Sequence, residues 1–195
     1  MEEQGTAVLE PSGNNKKEAK PKAKFVRRRL GVANITVVGV GGGGSNTVTR
    51  LMKERPVGIN FVCVNTDMKA LESARGEGLI VVPIGEALTR GFGAGGNPEV
   101  GEQSALAGRA ALKQVLSGSD IVFITTGLGG GTGTGAAPVV AEIAKKVGAL
   151  SVAMVTLPFS WEGHKRMQTA LSGLSALKEK VDNIILIHND LIGQL

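Results

Sequence analysis

Gly127-Leu128-Gly129-Gly130-Gly131-Thr132-Gly133-Thr134-Gly135 decides how the rest of this chain is read. Six of the nine residues are glycine, and Thr132 and Thr134 add hydroxyls without bulk. The apolar run 121–124 leads in as a buried strand. From Ala136 the chain leads out as a helix, with Pro138 tolerable in a first turn. Glycine lets backbone approach a ligand closely, and a helix N-terminus offers free amides with partial positive charge. Strand, loop and helix together describe a phosphate cradle made mostly of backbone. A flexible linker or surface turn is the plainer alternative, but this loop lies between two strongly patterned elements. The stretch is expected to bind an anion.

Working outward, the same pattern recurs upstream. Ile35-Thr36-Val37-Val38 reads as a strand, followed by Gly39-Val40-Gly41-Gly42-Gly43-Gly44-Ser45-Asn46 and a helix marked by Val48, Leu51 and Met52. Gly39, Gly41 and Gly44 satisfy G-x-G-x-x-G, a weak match when taken alone. A second strand, 60–64, ends in Asn65-Thr66-Asp67, where Asp67 reads equally as a ligand contact or a turn cap. A third, 79–82, precedes a long loop, 85–97, read as a lid over a ligand or as an irregular connection. Asn97-Pro98-Glu99 then opens a helix expected to run to about Leu116.

Downstream, the helix after the signature loop shows core spacing to Val147, and strand 150–155 runs into Thr156. Glu162 and Arg166 sit four apart at the start of the next helix. They read as a surface ion pair or as a carboxylate for ribose hydroxyls and a guanidinium for phosphate. A sixth strand, 183–187, ends at His188-Asn189-Asp190. The alternation predicts an α/β fold, a doubly wound, mostly parallel sheet with helices on both faces and the glycine loops converging on one edge.

Composition narrows the function. The 195-residue chain holds one Trp and no Tyr, which argues against stacking bases on an aromatic platform. The net charge of +5 is concentrated in residues 1–30, with eight Lys/Arg against four Glu. Those residues are expected to form a disordered basic arm, solvated or touching anionic surfaces, and residues 31–195 the globular domain. The globular part is nearly neutral, so no specific nucleic-acid partner is expected. Cys63 lies in an apolar strand and reads as a buried thiol, which together with the lack of any disulfide framework fits a cytoplasmic protein. No membrane span and no signal-peptide core are present in the sequence. His164 and His188 lack companions at metal-ligand spacing. The lysine of a G-x-x-x-x-G-K-[ST] loop is missing after both main glycine loops, which excludes a P-loop NTPase. What remains is a polyphosphate nucleotide held by several backbone loops, with Mg²⁺ offsetting its charge and no protein side chain assigned to the metal.

Gly129 to Gly135 matches the signature of the tubulin/FtsZ family, and residues 34–190 resemble its bacterial FtsZ branch. The motifs at 39–46, 65–67, 93–99, 127–142, 162–166 and 189–190 match in order. The resemblance implies GTP and GDP as ligands. It implies nucleotide contacts from Gly42, Gly43, Gly44, Ser45, Asn46, Asp67, Gly130, Gly131, Thr132, Gly133 and Thr156. It places Ala94, Gly95 and Gly96 at the γ-phosphate, Glu162 and Arg166 at ribose and phosphate, and Asn189 near guanine. Three positions depart from the family's pattern: Ser45 for a glycine, Leu157 for a lysine, and Trp161 for a phenylalanine.

Family members continue into a central helix, an acidic loop that completes the next subunit's active site, and a second domain. The chain is therefore expected to stop short of that helix, to contain no catalytic residue, and to hydrolyse GTP poorly or not at all by itself. In the full-length protein the resemblance implies self-association into filaments of the division ring, with membrane-tethering and division proteins as partners. Two other readings stand beside it. One is a dinucleotide-dependent oxidoreductase domain with Asp67 on the ribose, and the other is a non-catalytic fragment that caps filaments.

Overall fold

The computed structural model describes residues 7–8, 32–54, 56–74 and 76–192. The elements run β1 (Ala7–Val8), β2 (Ile35–Val40), α1 (Gly41–Met52), β3 (Ile59–Asn65), α2 (Met68–Ser73), β4 (Leu79–Pro83), α3 (Glu86–Thr89), α4 (Pro98–Ala107), α5 (Arg109–Leu116), β5 (Ile121–Gly127), α6 (Gly131–Lys146), β6 (Leu150–Leu157), a 3₁₀ turn (Ser160–Glu162), α7 (His164–Lys178), β7 (Asn183–His188) and α8 (Asn189–Ile192). The sheet order is β1-β4-β3-β2-β5-β6-β7, and every pairing is parallel. Without β1, this is the 3-2-1-4-5-6 order of a doubly wound nucleotide-binding sheet. No regular element is expected from the sequence before Asn34, yet Ala7–Val8 pairs with Ile80 and Val81 at the sheet edge. The rest of the expected disordered arm lies outside the described residues.

The central strands are apolar because both their faces are covered, as is usual in parallel sheets. Val38, Val40, Val62, Val64, Val122 and Ile124 face the larger core, built with α4, α5, α6 and α7. Val37, Phe61 and Cys63 alternate to the opposite face, where Val48 of α1 and Leu71 of α2 complete a smaller core. On that second face α1 and α2 cover β4, β3 and β2 and reach β5, whose Phe123 packs against the smaller core. Leu150, Met154 and Ile185, on β6 and β7, remain 51%, 37% and 46% exposed.

Three expectations are corrected. The helix at 97–116 is two helices, α4 and α5, broken at Gly108, where a Cβ would come within 2.7 Å of Ile84 Cγ2. Helix α6 starts at Gly131, five residues before Ala136, so Pro138 lies inside the helix and not in its first turn. Close packing overrides the poor helix propensity of glycine here, because a Cβ on Gly135 would collide with the Pro98 carbonyl of α4. The loop at 85–97 contains α3 and is tied down by a Gly93 N–H donating to the Thr66 carbonyl (3.3 Å) and an antiparallel bridge between Asp67 and Phe92.

Candidate nucleotide site

Strands β2 and β5 lie side by side at the centre of the sheet, and their connections leave in opposite directions. A crevice opens where the order reverses, beyond the carboxyl ends of the strands. Both glycine-rich motifs fall there. Helix α1 follows β2 without a break, and α6 follows β5 after three residues. Neither helix has a side-chain N-cap or an acidic residue in its first turn, so their first amides are offered to a ligand.

The two N-termini are held together backbone against backbone. Gly41 sits at φ 70°, and a Cβ there would come within 2.8 Å of the Gly133 nitrogen. Threonines lock the arrangement. Thr126 Oγ1 donates to the Val40 carbonyl at 3.0 Å, joining the ends of β5 and β2. The Gly129 N–H donates to Thr134 Oγ1 at 2.9 Å and closes the signature loop, while the Thr66 and Thr132 hydroxyls are 2.7 Å apart.

A cavity of about 490 Å³ opens between these parts. Of the residues expected at the nucleotide, Gly42, Gly43, Asp67, Gly95, Gly130, Gly131, Thr132, Gly133, Thr156, Glu162, Arg166 and Asn189 line it. Gly44, Ser45, Asn46, Ala94 and Gly96 are not part of its wall. Gly44 turns toward the sheet, where a Cβ would strike the Thr125 carbonyl. Ser45 is 2% exposed, with an Oγ that has no hydrogen-bond partner among the described residues and a carbonyl that receives the Cys63 thiol at 3.9 Å. Asn46 faces solvent on the outer side of α1, and Gly96 is also exposed. Ala94 is buried, its Cβ lying where it would come within 2.9 Å of a Cβ on Gly131.

The cavity also takes in Asn65, Ala70, Phe92, Gly93, Gly127, Leu128 and Pro158, which the sequence reading leaves unassigned as contacts. Asn65 was findable, since it ends β3 at the ligand-binding edge, and its Oδ1 orders the turn by accepting from the Thr66 N–H at 2.9 Å. Phe92 carries no such signal, because only the bridge to Asp67 brings it to the rim.

Asp67 lines the cavity, and its Oδ1 caps α2 by accepting from the Ala70 N–H at 3.1 Å. Glu162 and Arg166 likewise form the i,i+4 pair, Nε to Oε2 at 3.1 Å, and both face the cavity. Glu162 Oε1 also accepts from the Phe159 N–H at 2.9 Å, which fixes the carboxylate. Arg166 is the one cationic side chain among the described residues that line this space.

The donor set suits Mg²⁺ carried on phosphate oxygens better than a metal caged by protein. Among the described residues no three His, Cys, Asp or Glu side chains gather at a metal-binding distance. The two carboxylates of the cavity are already engaged, in a helix cap and an ion pair.

Comparison with known proteins places these features in a wider set. A family model described as the Tubulin/FtsZ family, GTPase domain, matches residues 34–195. The cell division protein FtsZ of Pseudomonas aeruginosa is 53% identical over 158 residues, which cover 81% of this chain and 40% of that protein. A solved structure of an empty FtsZ dimer from M. jannaschii superposes with a TM-score of 0.81 at 50% identity, over 85% of this chain and 48% of that one. A GTPγS-bound protofilament of CetZ2 from Haloferax volcanii gives 0.72 at 26% identity, over 80% of this chain and 49% of that one. The chain thus spans less than half the length of these relatives.

Proposed function

This chain belongs to the tubulin/FtsZ family, and from that premise we propose that it binds GTP and GDP in the cavity at the strand switch point. The observation that carries the reading is the abutment of two uncapped helix N-termini, α1 at Gly41 and α6 at Gly131, on one cavity. One such terminus suits a single phosphate, and two side by side suit a polyphosphate chain. The amides of Gly42, Gly43, Gly131, Thr132 and Gly133 hold the phosphates. Arg166 adds the positive charge that a P-loop lysine supplies elsewhere. Glu162, fixed by Phe159, receives ribose hydroxyls, and Asn189 at the end of β7 meets the base.

Gly93 and Gly95 close the far side of the cavity, beside the terminal phosphate. Mg²⁺, when bound, offsets phosphate charge. The residues of this chain contribute position and charge stabilisation, which is what phosphoryl transfer to water most requires. In the longer protein we assign GTP hydrolysis to filaments of the division ring in the cytoplasm, with tethering and division proteins as partners. The nucleotide-bound protofilament of CetZ2 supports self-association as the context of this site. No helix among the described residues is long and apolar enough to cross a membrane.

Calorimetric titration of the purified chain with GTP, ATP and NAD, each with Mg²⁺, tests the reading. Saturable 1:1 binding of GTP, with ATP and NAD much weaker, is the expected result. Preference for NAD would transfer the site to the dinucleotide oxidoreductase class. No binding by a folded chain would reduce it to an interaction module.

A further inference from the structure

Thr66 follows the last residue of β3 and lies behind the cavity wall, between the lining residues Asn65 and Asp67. It is 2% exposed, and each of its polar groups is engaged. Its N–H donates to Asn65 Oδ1 at 2.9 Å. Its carbonyl accepts from the Gly93 N–H and from Thr89 Oγ1, both at 3.3 Å, which ties it to the loop at 85–97. Its hydroxyl lies 2.7 Å from that of Thr132, the second residue of α6. A β-branched side chain on backbone held at both its N–H and its carbonyl has little rotamer freedom, so the Thr66 hydroxyl is a fixed point against which Thr132 is set.

The count of partners decides which hydroxyl donates. Each has one proton and two lone pairs. If Thr132 donated, the Thr66 proton would be buried with no acceptor among the described residues, which is the costly arrangement. If Thr66 donates, its own proton is satisfied and the Thr132 proton is released. Thr132 lines the cavity beside Gly131 and Gly133, so the released proton is available to a ligand there.

We propose that Thr66 is a positioning residue of the nucleotide site: by donating to Thr132 Oγ1 it makes the Thr132 hydroxyl a donor to a phosphate oxygen. The assignment rests on the nucleotide reading and deepens it. A phosphate oxygen offers only lone pairs, and a hydroxyl proton beside the first amides of α6 adds one more donor to it. In the opposite polarity Thr132 would present lone pairs to the anion. Thr66 itself touches no ligand and acts through Thr132.

Calorimetric titration with GTP, in Mg²⁺ and again in EDTA, tests the assignment on Thr66→Val, Thr66→Ser, Thr132→Val and the double valine variant. Thr132→Val should weaken binding by about tenfold or more, the loss of a hydrogen bond to a charged group. Thr66→Val, which keeps the shape and removes the hydroxyl, should weaken it by about threefold to tenfold. Thr66→Ser, which keeps the hydroxyl, should stay within about twofold of the unaltered chain. In the Thr132→Val background, Thr66→Val should cost nothing further, because its effect passes through Thr132. A merely structural Thr66 would cost the same in both backgrounds. That result, a serine variant as weak as the valine one, or undiminished binding by Thr66→Val would each overturn the assignment. A loss seen only with Mg²⁺ would place the Thr132 oxygen on the metal and overturn it too. If Thr66→Val does not fold, Thr66→Ala against Thr66→Ser isolates the same hydroxyl. Failure of the unaltered chain to bind GTP would instead overturn the nucleotide reading, and this assignment with it.

Discussion

Arg166 shows how much can depend on a single side chain when backbone does most of the binding. The helix termini provide partial charges, while Arg166 provides the one full positive charge among the described residues of the cavity wall. Its Nε is anchored 3.1 Å from Glu162, yet the side chain stays 54% exposed. Arg166→Ala should therefore weaken GTP binding by about tenfold to a hundredfold, the usual range for a hydrogen bond to a charged group, with little change in thermal midpoint. Calorimetry and a melting curve on the same sample check both halves. Arg166→Lys should recover only part of the loss, since an ammonium lacks the planar fork that matches phosphate. The residue scale is also where the sequence misleads. Gly44 and Ser45 belong to the same glycine motif as Gly42 and Gly43, but helical rotation turns them to the sheet side of α1. A motif names residue types, whereas only the helix phase says which of them face the ligand.

At the scale of elements, the helix layer is tied together by charge as well as by packing. Glu142 of α6 pairs with Arg109 of α5 at 2.6 Å, with Lys146 one turn on, and with Lys180 after α7 at 3.9 Å. Hydrogen bonds from Lys146 and Arg109 pull its pKa down from the ordinary 4.5 to about 2. A depressed carboxylate stabilises the fold fully above its unfolded pKa and loses that contribution as pH falls from about 4.5 through about 2. Its side chain is 32% exposed, so solvent screening limits the effect to about 1 kcal/mol. Urea unfolding at pH 7 and pH 3 should show a smaller acid loss in Glu142→Gln than in the unaltered chain. The positions of β2 to β7 were legible in the sequence to within two or three residues, because each is a short apolar run bounded by turn residues, whereas β1 at Ala7–Val8 was not. Helix starts were not. The glycines at 41–44 and 131–135 look like loop by propensity, yet they lie in helices, and at Gly41, Gly44, Gly131, Gly133 and Gly135 a Cβ would collide with neighbouring backbone.

For the whole molecule, the doubly wound parallel sheet and the convergence of glycine loops on one edge followed from the strand–helix alternation and the handedness of parallel connections. The cavity wall was legible for Gly42, Gly43, Gly95, Gly130, Gly131 and Gly133 and for the Glu162–Arg166 pair, but not for Gly44 and Gly96, which lie off it. Phe92, Ala70 and Pro158 reach it only through tertiary placement, which leaves no mark on local sequence. The uneven cover of the sheet is the other property that only the assembled molecule reveals. Helices α1 and α2 shield one half of the second face, while Leu150, Met154 and Ile185 leave the other half open. Contiguous apolar surface of this kind attracts apolar ligands. The folded chain should therefore raise the fluorescence of a hydrophobic dye, and Met154→Lys, at the middle of the patch, should reduce that signal by half or more without altering GTP binding. An unchanged signal in the variant would place the dye elsewhere.

Cys63 lies at 0% exposure in β3, and burial raises its thiol to about 11, against a smaller opposing effect from Ser45. As the sole cysteine of the chain, it leaves the native surface chemically silent toward maleimides and disulfide reagents. A single cysteine introduced beside Phe92 would then be the only thiol to take a fluorophore while the protein is folded. Nucleotide arrival could be followed by the fluorescence of that label on the otherwise unaltered chain.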